Sequence, residues 1–183
     1  MKFVPTRQVH LDFHTSEYIP AVAENFNAEE FAQTIADAHI NSVTVFARCH
    51  HGWMYYDSKK FPERIHPTLK NKDLLVQQVR ALHSRGIKAP VYLTVQADYF
   101  TAKRHGEWLI RNQDGSHTGG EFTEPGFWQR LCVNTGYLDF LKEHTAELIE
   151  LFGKELDGLF FDIVGAVPCW CEHCKKEMLA KGI

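Results

Sequence analysis

Asp162 closes the apolar run Leu159-Phe160-Phe161-Asp162, and a carboxylate at the end of such a run loses hydration that only close partners can replace. In that setting it suits a nucleophile or base, and it equally suits a structural acceptor for the amides of the next loop or helix. A second cluster, Arg48-Cys49-His50-His51-Gly52-Trp53, is followed by Tyr55, Tyr56, Asp57, Ser58 and Lys59. Neutral imidazoles exchange hydrogen bonds with hydroxyls, and Trp53 offers a flat apolar face, the mixture a sugar ring requires. A third set is Cys169-Trp170-Cys171-Glu172-His173-Cys174. Three thiolates in a tight turn suit a tetrahedral zinc, with Cys132 as the leading fourth ligand and His173 and Cys49 behind it. Ordinary free thiols are the competing reading, and a redox Cys-x-x-Cys role is weaker because no thioredoxin-like context surrounds it.

His10, Asp12 and His14 alternate along one strand face. Two residues four apart on an extended strand are about 13 Å apart, whereas zinc ligands each lie about 2 Å from the ion. His10 and His14 therefore cannot share a metal unless the strand breaks. His14 is expected to line the strand end, with His10 and Asp12 deeper as interior hydrogen-bonding groups. Trp108 and Trp128 read as loop packing, while Gln96, Asp98, Glu121 and Glu124 could reach the same strand ends; Asp157-Gly158 reads as a turn.

Alternating strands and helices must carry these groups. Gln8 to Phe13 and Ser42 to Arg48 have strand patterns, as do Ala89 to Gln96 and the nearly all-apolar Gly158 to Ile163, the last expected to be covered on both faces. Helices are expected from Asn27, which begins a capping-box spacing to Glu30, from about Asp73 to Arg85 ahead of Gly86, from about Gly136 to Gly153, and over Glu172 to Lys181. The long connections, Cys49 to Lys72 and Ala97 to Thr135, both follow strands. Barrel enzymes carry their active sites on such loops. No glycine-rich nucleotide fingerprint follows the first strand, so the pattern favours part of a (β/α)8 barrel over a doubly wound sheet.

A complete barrel takes about 250 residues and eight strands, so the four units here are expected to be the N-terminal half of a larger barrel. Either a C-terminal half completes it or two copies pair as a homo-oligomer, because open apolar edges are rarely left bare. Twenty basic and 23 acidic residues give a net charge of -3 in 183 residues, which disfavours nucleic acid and membrane surfaces as partners. No apolar run approaches the length of a membrane span, and the first residues lack a signal-peptide pattern. Five cysteines, an odd number, argue against a disulfide framework. The expectation is a cytoplasmic globular protein.

His50-His51-Gly52-Trp53 with Asp57-Ser58-Lys59 resembles the His-His-Asp-Gly-Phe and Asp-Ser-Lys segments of glycoside hydrolase family 29, the α-L-fucosidases. Phe160-Phe161-Asp162 resembles their Trp-Phe-Asp nucleophile strand. Over the whole chain the sequence is similar to a bacterial set called hypothetical glycosyl hydrolase 6, which shares the opening His10-Leu11-Asp12-Phe13-His14. The resemblance implies a retaining glycosidase with Asp162 as nucleophile, His14, His50 and His51 binding sugar hydroxyls, an acid/base carboxyl on later strands beyond Ile183, and no catalytic cofactor. On that footing the isolated chain is expected to be inactive. Here no Asp separates His51 from Gly52, Trp53 replaces Phe, and Phe160 stands where Trp is usual, so the sugar and linkage stay open. Cys132, Cys169, Cys171 and Cys174 are similar to the zinc-binding cysteines of family 42 β-galactosidases, which implies a structural zinc, but that family's Asn-Glu pair has no counterpart at Phe161-Asp162-Ile163. Two rivals are a zinc-stabilised carbohydrate-binding or scaffolding protein without catalysis, and a metal-dependent hydrolase built on the histidines.

Overall fold

A computed structural model describes residues 5–183. Its sheet has the strands β1 (Gln8–His10), β2 (Ser42–Arg48), β3 (Val91–Thr94) and β4 (Leu159–Asp162), all parallel and in sequential order. Helices α1 (Ala28–Asp37), α2 (Leu74–His83) and α4 (Tyr137–Phe152) make the crossovers, α3 (Tyr99–Arg104) lies within the third, and α5 (Glu172–Lys181) follows β4. A sheet whose order never reverses has no topological switch point. The fold is therefore a partial, open (β/α) barrel. Among the described residues no helix is long and apolar enough to cross a membrane.

Period-two alternation divides the strands into an outer and an inner face. Val43, Val45, Ala47, Val91 and Leu93 point outward and bury against Ile35, Leu75, Val79, Leu82, Leu148 and Phe152 of the helices. On the inner face Phe46 and Tyr92 stack with centroids 3.9 Å apart, and His10 and Phe160 pack around Tyr92. Asn27 caps α1, its side chain accepting the Glu29 and Glu30 amides at 3.0 Å, while Gly86 and Gly153 take positive φ just past α2 and α4.

Two expectations about the edge strands are corrected. β1 pairs with β2 only through Gln8, Val9 and His10, and the chain then leaves the sheet. Asp12 Oδ1 sits 3.4 Å from His10 Nε2 and 3.1 Å from His14 Nε2, so a carboxylate bracket replaces the extended alternation. His10 and Asp12 are consequently exposed, not interior. β4 is paired on one side only, and instead of being covered on both faces it leaves Phe160 39% and Phe161 49% exposed.

A register shift in β2 between Phe46 and Arg48 sets the next layer of structure. The bulge aims Arg48 at the helical side, opposite Leu93. There the fully buried guanidinium meets Asp98, the Thr94 carbonyl and the Tyr137 hydroxyl. Arg64 joins from the β2 loop, donating to Asp98 Oδ2 at 3.1 Å and to Thr101 Oγ1 at 2.7 Å. Asp98 is wholly buried, so it does not reach the strand-end cup as one of the candidate acids.

His144 lies beside this knot, fully buried in α4 and stacked near-parallel with Tyr56 and Phe140. Among the described residues neither ring nitrogen has a hydrogen-bond partner, and burial, with repulsion from Arg48 and Arg64, holds its pKa well below the ordinary histidine value. Below the unfolded pKa of about 6.5 the unfolded chain binds a proton here that the folded chain refuses, so stability falls as pH falls. His144→Phe should therefore unfold at higher urea than the parent at pH 5, by about 2 kcal/mol, and match it within about 1 kcal/mol at pH 8. Parallel pH profiles for the two proteins would show that His144 is not held neutral.

Candidate functional site at the strand ends

The histidine pair is placed by backbone chemistry. After Arg48 the chain turns at once: the Gly52 amide donates to the Cys49 carbonyl at 2.9 Å, and Gly52 takes φ of 93°. A Cβ at Gly52 would lie 2.5 Å from Asp98 Oδ1 and from the Phe100 Cβ, so only glycine fits there. The first amides of α3, which have no partner inside the helix, donate to this turn: Tyr99 N to the His50 carbonyl and Phe100 N to the His51 carbonyl, each at 3.0 Å. Helix α3 thus fixes both imidazoles from below.

Asp162 at the end of β4 meets His50 across β3. The Tyr92 hydroxyl donates to Asp162 Oδ2 at 2.7 Å and lies 2.9 Å from His50 Nε2, which is itself 3.4 Å from the same carboxylate oxygen. With the phenol proton committed to Asp162, His50 Nε2 carries the proton and donates toward the phenol oxygen. His50 Nδ1 then has a buried lone pair without a partner. The His50 amide donates to His14 Nδ1 at 3.1 Å, leaving the His14 proton on Nε2 toward Asp12. Three strand ends contribute to one hydrogen-bonded chain.

The charge states follow from these contacts. Burial raises the Asp162 pKa, but hydrogen bonds from Tyr92, the Ile163 amide and His50 outweigh it and hold the carboxyl below its ordinary value. Burial, helped by His14 and opposed by Asp162, lowers His50 to about 4. Burial also lowers His14 against the pull of Asp12, and lowers His51 against its Gly126 contact. Burial and the Asp162 carboxylate push Tyr92 up. Near neutral pH Asp162 is a carboxylate among neutral imidazoles and a phenol, with Asp12 at the margin against His14. Such a carboxylate can act as nucleophile, base or electrostatic partner, but it has no proton to give.

His51 Nδ1 donates to the Gly126 carbonyl at 2.7 Å and has no direct bond to Asp162. Phe127 connects it to the others, with its ring centroid 5.1, 4.8 and 5.2 Å from those of His14, His50 and His51. Trp53 stands apart on the flank, donating to Glu17 Oε2 at 3.1 Å and packing on Phe100 and His66. Asp57-Ser58-Lys59 serves the scaffold: Glu147 of α4 accepts from Tyr56, Ser58 and the Lys59 and Lys60 amides. Gln96 brackets Gly165 through both ends of its amide, while Glu124 pairs with Lys103 and Tyr99 and Glu121 is exposed.

Sequence reasoning missed Tyr92, Phe127 and the turn at Ile163. Tyr92 carried a signal, a polar-tipped aromatic at the inward position of Val91-Tyr92-Leu93. Ile163 adopts φ of 53°, a left-handed conformation that is an outlier for a β-branched residue, and its amide reaches back to Asp162.

Away from this cup, the sulfurs of Cys132, Cys169, Cys171 and Cys174 all lie within 4.8 Å of one another, with Cys132 and Cys174 at 3.4 Å. Tetrahedral thiolates about 2.3 Å from zinc are about 3.8 Å apart, so the donor set fits a metal with small adjustment. Among the described residues the histidines form no such group, and Cys49 and His173 lie outside it. Cys49 is instead buried in the apolar cluster with Phe46, Tyr55 and Tyr92.

The family model described as hypothetical glycosyl hydrolase 6 matches residues 27–163. Among solved structures, α-L-fucosidase isoenzyme 2 from Paenibacillus thiaminolyticus is 39% identical with a TM-score of 0.89, over 98% of this chain and 26% of that one. The chain thus spans about a quarter of that fucosidase. An α-fucosidase from Thermotoga maritima in complex with fucose (19% identity, TM-score 0.55, 87% of this chain and 32% of that one) shares the fold. So does a hypothetical protein from Ruminiclostridium thermocellum (15%, 0.60, 96% and 90%). No curated protein sequence matches.

Proposed function

The chain belongs to the family described as hypothetical glycosyl hydrolase 6, and from that membership we propose that it supplies the nucleophile side of a retaining glycosidase site acting on α-L-fucosides. The observation that carries the reading is the bridge from Tyr92 to Asp162 and His50, which holds an ionised carboxylate at a barrel strand end. In this reading Asp162 attacks the anomeric carbon and the glycosidic C–O bond breaks, leaving a glycosyl ester on the carboxylate. By the resemblance His14, His50 and His51 are assigned to ring hydroxyls, with Trp53 at the edge of the site. Tyr92 positions the nucleophile and keeps its proton. Water then hydrolyses the ester.

A retaining enzyme also needs a carboxyl about 5 to 5.5 Å from the nucleophile, to protonate the leaving oxygen and later activate water. Among the described residues Asp98 is locked between arginines, Glu124 is paired with Lys103, and Asp12 is bound by His10 and His14. The resemblance to the α-L-fucosidases implies an acid/base on later strands outside residues 1–183, and the reading takes this chain as the N-terminal half of that barrel. The fucoside assignment rests on the 39% identity to the Paenibacillus fucosidase.

Purified chain should bind L-fucose by calorimetry, lose at least about tenfold in affinity in His50→Ala, and leave aryl α-L-fucosides uncleaved. Hydrolysis by the parent that disappears in Asp162→Ala would place the acid/base within these residues and contradict the division proposed.

The four cysteines are assigned a structural zinc with no part in bond cleavage. When bound, it ties the loop bearing Cys132 to the first turn of α5 and contributes stability alone. Elemental analysis should find about one zinc per chain, and Cys174→Ser should lower the melting temperature. A metal-free chain whose stability is indifferent to that substitution would exclude the zinc.

A further inference from the structure

We propose that Trp128 is the platform for a second pyranose, adjoining the sugar ring held at Asp162, so that the site is built for a disaccharide or longer glycan. This rests on the carbohydrate reading above and extends it by one subsite.

The loop tryptophans differ in a way their sequence does not show. Trp108 stacks on His105 with centroids 3.9 Å apart, and its ring lies so near Gly136 that a Cβ there would approach to 2.8 Å. Trp128 leaves 61% of its surface in water, and among the described residues its one aromatic neighbour is Phe127, edge to face at 4.7 Å. Phe127 is the residue whose ring touches all three site imidazoles, at 4.8 Å from His50. Phe127 therefore links the exposed indole to the imidazoles, ring to ring at 4.7 and 4.8 Å.

The backbone beneath the exposed indole is held on both sides. Gly119 lies so close that a Cβ would come 2.2 Å from the Trp128 carbonyl oxygen, and the neighbouring Gln129 is buried, donating to the Glu121 carbonyl at 2.9 Å. Gly126 is pinned by His51 and covered by the Tyr99 ring, which a Cβ at that position would strike. Scattered exposed apolar residues are ordinary on a protein surface. An indole on a fixed backbone, one ring beyond the catalytic cup, is placed where a pyranose leaving the first subsite would set its apolar C–H face. The π face of the indole is electron-rich and complements those C–H groups. On the same loop Glu121 is exposed, a carboxylate able to meet hydroxyls at a ring edge.

The test is calorimetric titration of the parent chain, Trp128→Ala and Trp128→Phe with L-fucose and with a fucosyl-galactose disaccharide. The parent should bind the disaccharide about tenfold more tightly than fucose. Trp128→Ala should erase that advantage with fucose affinity unchanged, and Trp128→Phe should keep most of it. Fucose binding without a disaccharide advantage in the parent, or a Trp128→Ala variant that keeps the advantage or weakens both sugars alike, overturns the second subsite and leaves the glycosidase reading standing. A parent chain that binds neither sugar overturns both.

Discussion

One buried carboxylate organises the site from behind. Asp98 has no exposure to water and stands between two guanidiniums, Arg48 and Arg64. Two cations cannot be buried together without a shared anion, and deleting one partner of such a set typically costs about 3 to 5 kcal/mol. Because Arg48 ends β2, Arg64 sits in the β2 loop and Asp98 caps α3, satisfying these charges fixes three pieces of chain at once. The turn carrying His50 and His51 is caught in the middle, its carbonyls on α3 amides and Gly52 against Asp98.

The bulge that aims Arg48 outward also separates scaffold from chemistry. Charge pairing and burial occupy the helical side, while the inner side keeps neutral rings around the Asp162 carboxylate. Tyr92, stacked on Phe46 in the floor of the half-open barrel, carries its hydroxyl up between Asp162 and His50. A carboxylate given hydrogen bonds, but no formal cation at neutral pH, stays ionised while retaining much of its basicity. That balance suits a group proposed to form and release an ester.

Much of this arrangement was legible in the residues. β2 occupies the seven positions its β-branched pattern marks, Asn27 caps α1, α5 begins and ends where expected, and Cys132, the leading candidate for a fourth ligand, converges in space with the three clustered cysteines. Local rules suffice for all but the last of these. Asp98 and α3 were not legible because a six-residue helix has too few turns to show a period, and its capping carboxylate resembles any loop acid. The exposure of Asp12 and Phe161 escaped because alternation names a face without naming what covers it. Trp108 and Trp128 look equivalent in sequence, and the His105 stack and close Gly136 on one, against the exposure of the other, distinguish packing from display.

The central claim, that Asp162 is an ionised nucleophile poised for attack, is tested most directly by covalent trapping. A 2-fluoro-fucosyl fluoride needs little help from a general acid, so the 183-residue chain itself can be used. The account predicts a mass increase of one fluoro-fucosyl group, located on the peptide containing Asp162 and absent from Asp162→Asn. An unmodified chain, or a label on another residue, would contradict it.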